Sequence, residues 1–250
     1  RSQRSSLPTF QWVSALAMSE LSEHLSHGEL NITGRLVDAS NATLFGTCTY
    51  KGVVQQIIYK PIAGERPLWD FAEGTLAARE CAAFLLSDIS GWSVVPVTVM
   101  RDGPFGEGMV QEWIEIDKNV DLAEFYRTDD PQLRTLALFD AVINNTDRKI
   151  GHLLPRSDGK LFGCDHGVTF HQDDKLRTVL WQWADQELTV EEQEELANLL
   201  NRLHKERSDF LSYLSESEFA ALLVRIEGLI TTKRFPVPSE EWPAIPWPPF

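Results

Sequence analysis

Residues 144–171 read NNTDRKIGHLLPRSDGKLFGCDHGVTFH, and the fold of the whole chain follows from how this stretch is parsed. An apolar helix carrying Leu133, Leu136, Ala137, Phe139, Ala141 and Val142 is predicted to end near Asn144-Asn145, with Asp147 and Arg148 just beyond it. Leu153-Leu154 and Lys160–Gly163 then read as two short strands about a Ser-Asp-Gly turn at 157–159. Asp165 follows the second strand directly, with Gly167 two residues later. A tight hairpin between two carboxylates brings them together. With the nearby histidines they offer hard oxygen and nitrogen ligands for Mg²⁺, or a base for a substrate hydroxyl.

Upstream, the texture is that of strands. Residues 12–27 have helical spacing and Gly28 as a stop. From Glu29 to Lys60, apolar residues lie among Thr, Gly and Asn, which predicts two or three antiparallel strands with turns at Asp38–Asn41 and Lys51-Gly52. Lys60 closes the apolar run IIYKP, backed by Pro61. Twenty residues later Glu80 lies in TLAARECAAFLLS (75–87), a predicted helix with Thr75 at its N-cap. A strand lysine held by a helix glutamate is a device for aiming an ammonium at phosphate. Further strands are expected at 94–101 and 108–116, joined by DGPFGEG.

Downstream, Thr189-Val-Glu-Glu192 and Ser215-Glu-Ser-Glu218 are capping boxes that open two more helices. The tail 235–250 contains six of the 13 prolines and two of the 8 tryptophans, so it is expected to be an extended strap with Trp242, Trp247 and Phe250 covered by the body. A β-rich first half and an α-rich second half give an α+β fold in two lobes.

The 250 residues carry 23 Lys+Arg against 37 Asp+Glu, a formal charge of −14. Phosphate-tracking and anionic-lipid-binding domains present a basic face, so nucleic acid is disfavoured as a partner and stable membrane association is not expected. Three widely spaced cysteines, no C-x-x-C pair, no leader-like apolar run and no 18-residue apolar stretch lead to the expectation of a cytoplasmic protein.

At Lys60, Glu80, Asp147 and Asp165, taken in that order, the chain resembles the protein-kinase-like superfamily. The wording YKP, NNTDR and Asp165-His166-Gly167 is similar to its phosphatidylinositol 3-/4-kinase branch, especially type II phosphatidylinositol 4-kinases and a bacterial phosphatidylinositol 3-/4-kinase-like group. HipA-like kinases are more distant. Asp165 comes eighteen positions after Asp147, the protein-kinase interval, and His152 falls where the metal-binding Asn is expected. The resemblance covers roughly residues 30–185.

It implies a two-lobed kinase-like fold, with residues 1–116 as an N-lobe and 117–250 as a C-lobe. It implies ATP and Mg²⁺ as cofactors, Lys60 on the nucleotide phosphates with Glu80 as its partner, and a hinge at Gln111–Ile114 whose Glu112, Trp113 and Ile114 meet the adenine. Asp147, with Arg148 beside it, would be catalytic. Asp165 and His152 would hold the metal, and Ser40 and Asn41 would cap a phosphate where a Gly-rich loop is missing.

Alone, Lys60 would pass for a surface lysine and Glu80 for a solvated helix residue; together with the later motif they do not. His166 and His171 are expected to be plain loop residues, Cys164 a small buried side chain, and Trp113 packing. The acidic charge argues for a protein or small-molecule acceptor over a lipid, because the segment after the metal motif offers only Lys175 and Arg177 against Asp173 and Asp174. The alternatives are a nucleotide-binding pseudokinase, AMP transfer, and a metallohydrolase built on His152, Asp165, His166 and His171.

Overall fold

The computed structural model describes residues 19–36 and 41–250. The chain begins with α1 (Glu20–His27), capped by Ser19, whose Oγ accepts from the Ser22 amide at 3.1 Å. Then come β1 (Glu29–Arg35), β2 (Leu44–Tyr50) and β3 (Val53–Pro61), α2 (Leu76–Ser90), β4 (Thr98–Gly103) and β5 (Gly106–Glu112). The five strands form one antiparallel sheet in the order β1-β2-β3-β5-β4. The β2–β3 turn is the expected one: Tyr50 pairs with Val53, and Lys51 and Gly52 both take positive φ, as a two-residue hairpin requires. The predicted helix at 12–27 is seen from residue 20; its earlier part and most of the 38–41 turn lie outside the described residues.

Alternation along β3 decides what the sheet holds on each face. Ile57 and Tyr59 point toward α1 and pack with Leu25, Cys48 and Val110. Ile58 points the other way, into a cluster with Ala77 and Cys81 of α2 and Met109 of β5. Lys60 has the parity of Ile58, and Glu80 sits one residue before Cys81. The apolar contacts that seat α2 on the sheet therefore also bring the lysine to the glutamate.

Two details of this half differ from the sequence expectation. Thr75 does not cap α2; its hydroxyl donates to the Ala72 carbonyl, and the Glu65 carboxylate accepts the Leu76 and Ala77 amides at 3.2 and 2.8 Å instead. The strand expected from residue 94 starts at Thr98. Val94 and Val95 are core residues whose amides donate to Ser87 Oγ, and Pro96 withholds the amide that a ladder would need.

The second half contains α3 (Leu122–Phe125), α4 (Pro131–Ile143), the hairpin of β6 (Leu153–Pro155) and β7 (Leu161–Gly163), α5 (Val190–Lys205), α6 (Arg207–Phe210) and α7 (Glu216–Thr232). α4 ends at Asn144 in the left-handed conformation. Both capping boxes form, with Thr189–Glu192 opening α5 and Ser215–Glu218 opening α7. Leu133, Leu136 and Phe139 of α4 pack with Leu196 and Leu199 of α5, Leu222 and Ile226 of α7, and Leu86 and Ile89 of α2 in one large core. α2 thus belongs to both halves. Among the described residues no helix is long and apolar enough to cross a membrane.

The tail is an extended strap, as expected. Ala244 accepts from the Thr178 amide and from Trp181 Nε1, and the Pro249 carbonyl accepts from the Ile150 amide at 2.8 Å. The expectation that its aromatics are covered holds only for Trp242, which is partly buried and lies against Trp69; Trp247 and Phe250 are exposed. The strap is anchored by backbone hydrogen bonds, so its terminal rings need no cover to stay in place.

Candidate active site

Lys60 Nζ stands 2.6 Å from Glu80 Oε1 and 2.7 Å from Asp165 Oδ1. Burial alone would strip the charge from Lys60, but Asp165 and Glu80 outweigh it and hold the ammonium well above its ordinary range. The same contact works on the other partner. Lys60, against the effect of burial and with help from His152, holds Asp165 well below the usual carboxylate range.

Glu80 uses its second oxygen to accept the His166 amide at 2.9 Å, so one carboxylate fixes both the lysine and the chain just after Asp165. Asp165 itself has φ +61°, a left-handed backbone that costs a non-glycine residue about 1 kcal/mol or more. That strain turns its carboxylate to the lysine. Asn41, Lys60, Glu80, Asp165 and Gly167 line one shallow cavity between the sheet and the β7 turn. The Asn41 side chain is already engaged, its Oδ1 accepting the Arg66 amide, while Ser40 lies outside the described residues.

The β6–β7 hairpin carries Asp165 back toward Asp147, as the spacing requires. Asp147 is partly buried, with Oδ2 3.1 Å from Lys149 Nζ. Burial raises its carboxyl above the ordinary range, Lys149 and Arg177 pull it down, and Asp165 pushes it up. A carboxylate of raised basicity facing the cleft is suited to take a proton from an incoming hydroxyl.

His152 Nε2 lies 3.5 Å from Asp165 Oδ2, and burial pushes the ring down to about 4, so it is neutral. Its Nδ1 accepts the Lys149 amide at 3.4 Å, which leaves the proton on Nε2, pointing to Asp165. In that tautomer His152 turns an N–H, not a lone pair, toward Asp165. As to a metal, Asp165 fits: Mg²⁺ takes one or two carboxylates and completes its shell with phosphate and water oxygens. Among the described residues no group of three or more His, Cys, Asp or Glu gathers as a self-sufficient metal site.

Arg148, expected beside Asp147 as catalytic, is placed elsewhere. It is fully buried; Nε and Nη2 donate to Asp140, Nη1 donates to the Cys164 carbonyl at 2.9 Å, and Nη2 meets His166 Nε2 at 2.7 Å. It is closed off from the cavity and ties the end of α4 to the chain on both sides of Asp165. His166 is likewise interior, not a free loop histidine; burial and the Arg148 cation keep it neutral. His171 binds the Asp70 carbonyl through Nε2 at 3.0 Å. Of the four residues of the metallohydrolase alternative, only His152 and Asp165 come together; His166 and His171 serve other partners.

The hinge segment follows β5. The amides of Glu112 and Trp113 donate to the Val97 and Gln56 carbonyls, so they belong to the sheet. The Trp113 ring packs edge-on to Phe45 with centroids 5.0 Å apart, and Ile114 is buried.

No known family model matches the chain. Protein Rv2133c of Mycobacterium tuberculosis is 38% identical over 262 residues, an alignment covering 90% of this chain and 94% of that protein. The chain belongs to the Rv2133c family. The crystal structure of the Helicobacter pylori proinflammatory kinase CtkA matches with a TM-score of 0.51 at 13% identity, over 84% of this chain and 94% of that one. At that identity the likeness speaks for fold, and the fold is two-lobed and kinase-like.

Two residues of this Rv2133c-family chain that hold the site's elements together escape a reading of its sequence. Arg79, buried in α2, donates to the Thr169 carbonyl at 2.6 Å and pairs with Glu218 at the start of α7. It locks α2, and with it Glu80, against the segment after Asp165. Asp140 is the other; it receives Arg148, Asn145 Nδ2 at 2.9 Å and Thr178 Oγ1 at 3.1 Å. A lone Asp inside the apolar run LALFDAVI was the available signal, since a charge on a buried helix face has to be paired.

Proposed function

We propose that the protein is an ATP-dependent phosphotransferase acting on a protein or small-molecule acceptor. The observation that carries this reading is the Lys60 ammonium fixed between Glu80 at 2.6 Å and Asp165 at 2.7 Å, on the kinase-like fold. Lys60 binds nucleotide phosphate, and Glu80 keeps it aimed. The amides of Glu112 and Trp113 are committed to the sheet, so the adenine is read beyond Trp113. Asp165 would hold Mg²⁺, which when bound would supply charge neutralisation on the phosphates. Asp147 orients the acceptor hydroxyl and takes its proton as the acceptor oxygen bonds to the γ-phosphorus and the bond to the ADP oxygen breaks. Lys149 keeps Asp147 ionised between turnovers.

The resemblance to phosphatidylinositol kinases extends, on this reading, to the catalytic parts and not to the lipid. The −14 charge opposes approach to an anionic bilayer, whereas an ATP site supplies its own local positive charge through Lys60 and the metal. Incubation with ATP and Mg²⁺ followed by mass spectrometry tests the reading. A phosphoryl adduct or ADP release that is lost in Lys60→Met supports it, and an adenylyl adduct replaces it with AMP transfer.

His152 favours a second reading, a nucleotide-binding pseudokinase, because a neutral imidazole 3.5 Å from Asp165 stands where the resemblance puts a metal-binding Asn. Mg²⁺-dependent thermal stabilisation by ATP with no turnover would select it.

A further inference from the structure

Asp147, Lys149 and Arg177 share one face of a short extended pairing. Arg148 and Thr178 form a parallel bridge, in which the Arg148 amide donates to the Arg177 carbonyl, the Arg177 amide to Asn145, and the Val179 amide to Arg148. The side chains of Arg148 and Thr178 both turn inward onto Asp140. Extended chain alternates, so their neighbours Asp147, Lys149 and Arg177 face the opposite way, toward the cleft.

Several cations near the interior of this acidic chain carry a salt bridge: Lys60 with Glu80, Arg79 with Glu218, Arg148 with Asp140, Lys175 with Asp70. Arg101 bonds backbone carbonyls instead. Arg177 makes no salt bridge among the described residues, although its charge acts on Asp147, and its Nε is shut off from solvent without a hydrogen-bond partner. A buried donor left in that condition in a native structure calls for an explanation, and a bound water, ion or ligand is one. Arg225 also has one unpartnered nitrogen, but its Nε and Nη1 tie α7 to the Val142 and His171 carbonyls, which accounts for it structurally.

We infer that Arg177 is the acceptor-reading residue: its guanidinium receives an anionic group, a phosphate or carboxylate, on the molecule whose hydroxyl meets Asp147. The inference rests on the phosphotransferase reading for the word acceptor; the anion site itself stands on the geometry. A guanidinium fork matches two oxygens of such a group, so it fixes orientation as well as attraction. In a chain of net charge −14, this face sets two cations, Lys149 and Arg177, against the carboxylate of Asp147.

Inorganic phosphate is the probe, titrated calorimetrically into the full chain, with ATP–Mg²⁺ binding measured in parallel. Saturable phosphate binding that weakens at least tenfold in Arg177→Gln and is retained in Lys60→Met is the expected result. Arg177→Lys, which keeps the charge and loses the fork, should weaken binding severalfold; it decides the matter if the Gln variant does not fold. A second arm uses phosphatidylserine vesicles. Vesicle binding lost in Arg177→Gln, without binding of free phosphate, would assign the anion to a lipid headgroup and keep the site. Phosphate and vesicle binding both absent, or phosphate binding lost in Lys60→Met but unchanged in Arg177→Gln, overturns the inference. Failure of ATP to bind would instead remove the phosphotransferase reading, leaving the phosphate result to decide the anion site.

Discussion

Asp140 and Arg148 form an ion pair from which solvent is wholly excluded, and the loop that carries Asp147 is built around it. Asp140 lies at the end of α4, and Arg148 reaches from there to the Cys164 carbonyl and His166, the residues on either side of Asp165. One interior pair thus sets the spacing of the two cleft carboxylates. Replacing Asp140 by Ala leaves a buried guanidinium unpaired, and the expected loss is about 3–5 kcal/mol of stability. Urea unfolding followed by circular dichroism checks this; a loss below about 1 kcal/mol would show that the pair is incidental.

Arg79 provides a subtler test of the same kind. Arg79→Ala removes the bonds to Thr169 and Glu218 that lock α2, while Lys60, Glu80 and Asp165 remain. ATP affinity should fall roughly tenfold, the loss expected when one charge-assisted anchor of about 1.5–3 kcal/mol is removed. Unchanged nucleotide affinity in a folded variant would mean that α2 is held without it.

His152→Asn places an amide oxygen where a neutral imidazole now faces Asp165. On the phosphotransferase reading this change raises turnover several-fold and lowers the Mg²⁺ concentration for half-maximal rate, since an oxygen is a harder ligand than imidazole. A steady-state Mg²⁺ titration reads both. A fall in rate with weaker Mg²⁺ dependence would show that the imidazole itself is required.

The cysteines give a pH-dependent prediction. Burial raises the Cys48 and Cys81 thiols and pushes Cys164 up to about 12, with Asp165 adding to the shift at Cys164. Each folded thiol holds its proton more tightly than an unfolded thiol, of ordinary value about 8.5. Their contribution to stability is therefore complete below about 8.5 and is lost as the pH rises through the folded values. At pH 8 iodoacetamide should label all three at least tenfold more slowly in the folded protein than in urea. Rapid labelling of Cys164 alone would place a thiolate beside the site.

Much of this was legible in the sequence because local chemistry fixes it. Lys51-Gly52 demanded a two-residue hairpin, the two capping boxes opened helices where they stand, and the 153–163 hairpin returned Asp165 toward Asp147. Lys60 and Glu80 could be paired from their order alone, and the structure explains the pairing through the parity of β3. What was not legible depends on partners remote in sequence. Glu65 took the cap of α2 from Thr75 because a carboxylate can bond two amides at once. Arg148 looked catalytic from its place next to Asp147, but strand alternation sends adjacent side chains to opposite faces, and Asp140 was waiting on the inner one. The tautomer of His152 was beyond any reading of spacing, since the Lys149 amide sets it.

The strap has a consequence in time. The Ile150 amide, three residues after Asp147, is satisfied by the carbonyl of Pro249. During synthesis the ribosome makes Ile150 long before Pro249, so the loop bearing Asp147 emerges with one bond outstanding. A contact of such long sequence separation closes late in folding. The nascent chain can assemble its sheet and seat Lys60 on Glu80 while the Asp147 side of the cavity is still unfinished, so on the phosphotransferase reading competence for nucleotide precedes competence for transfer.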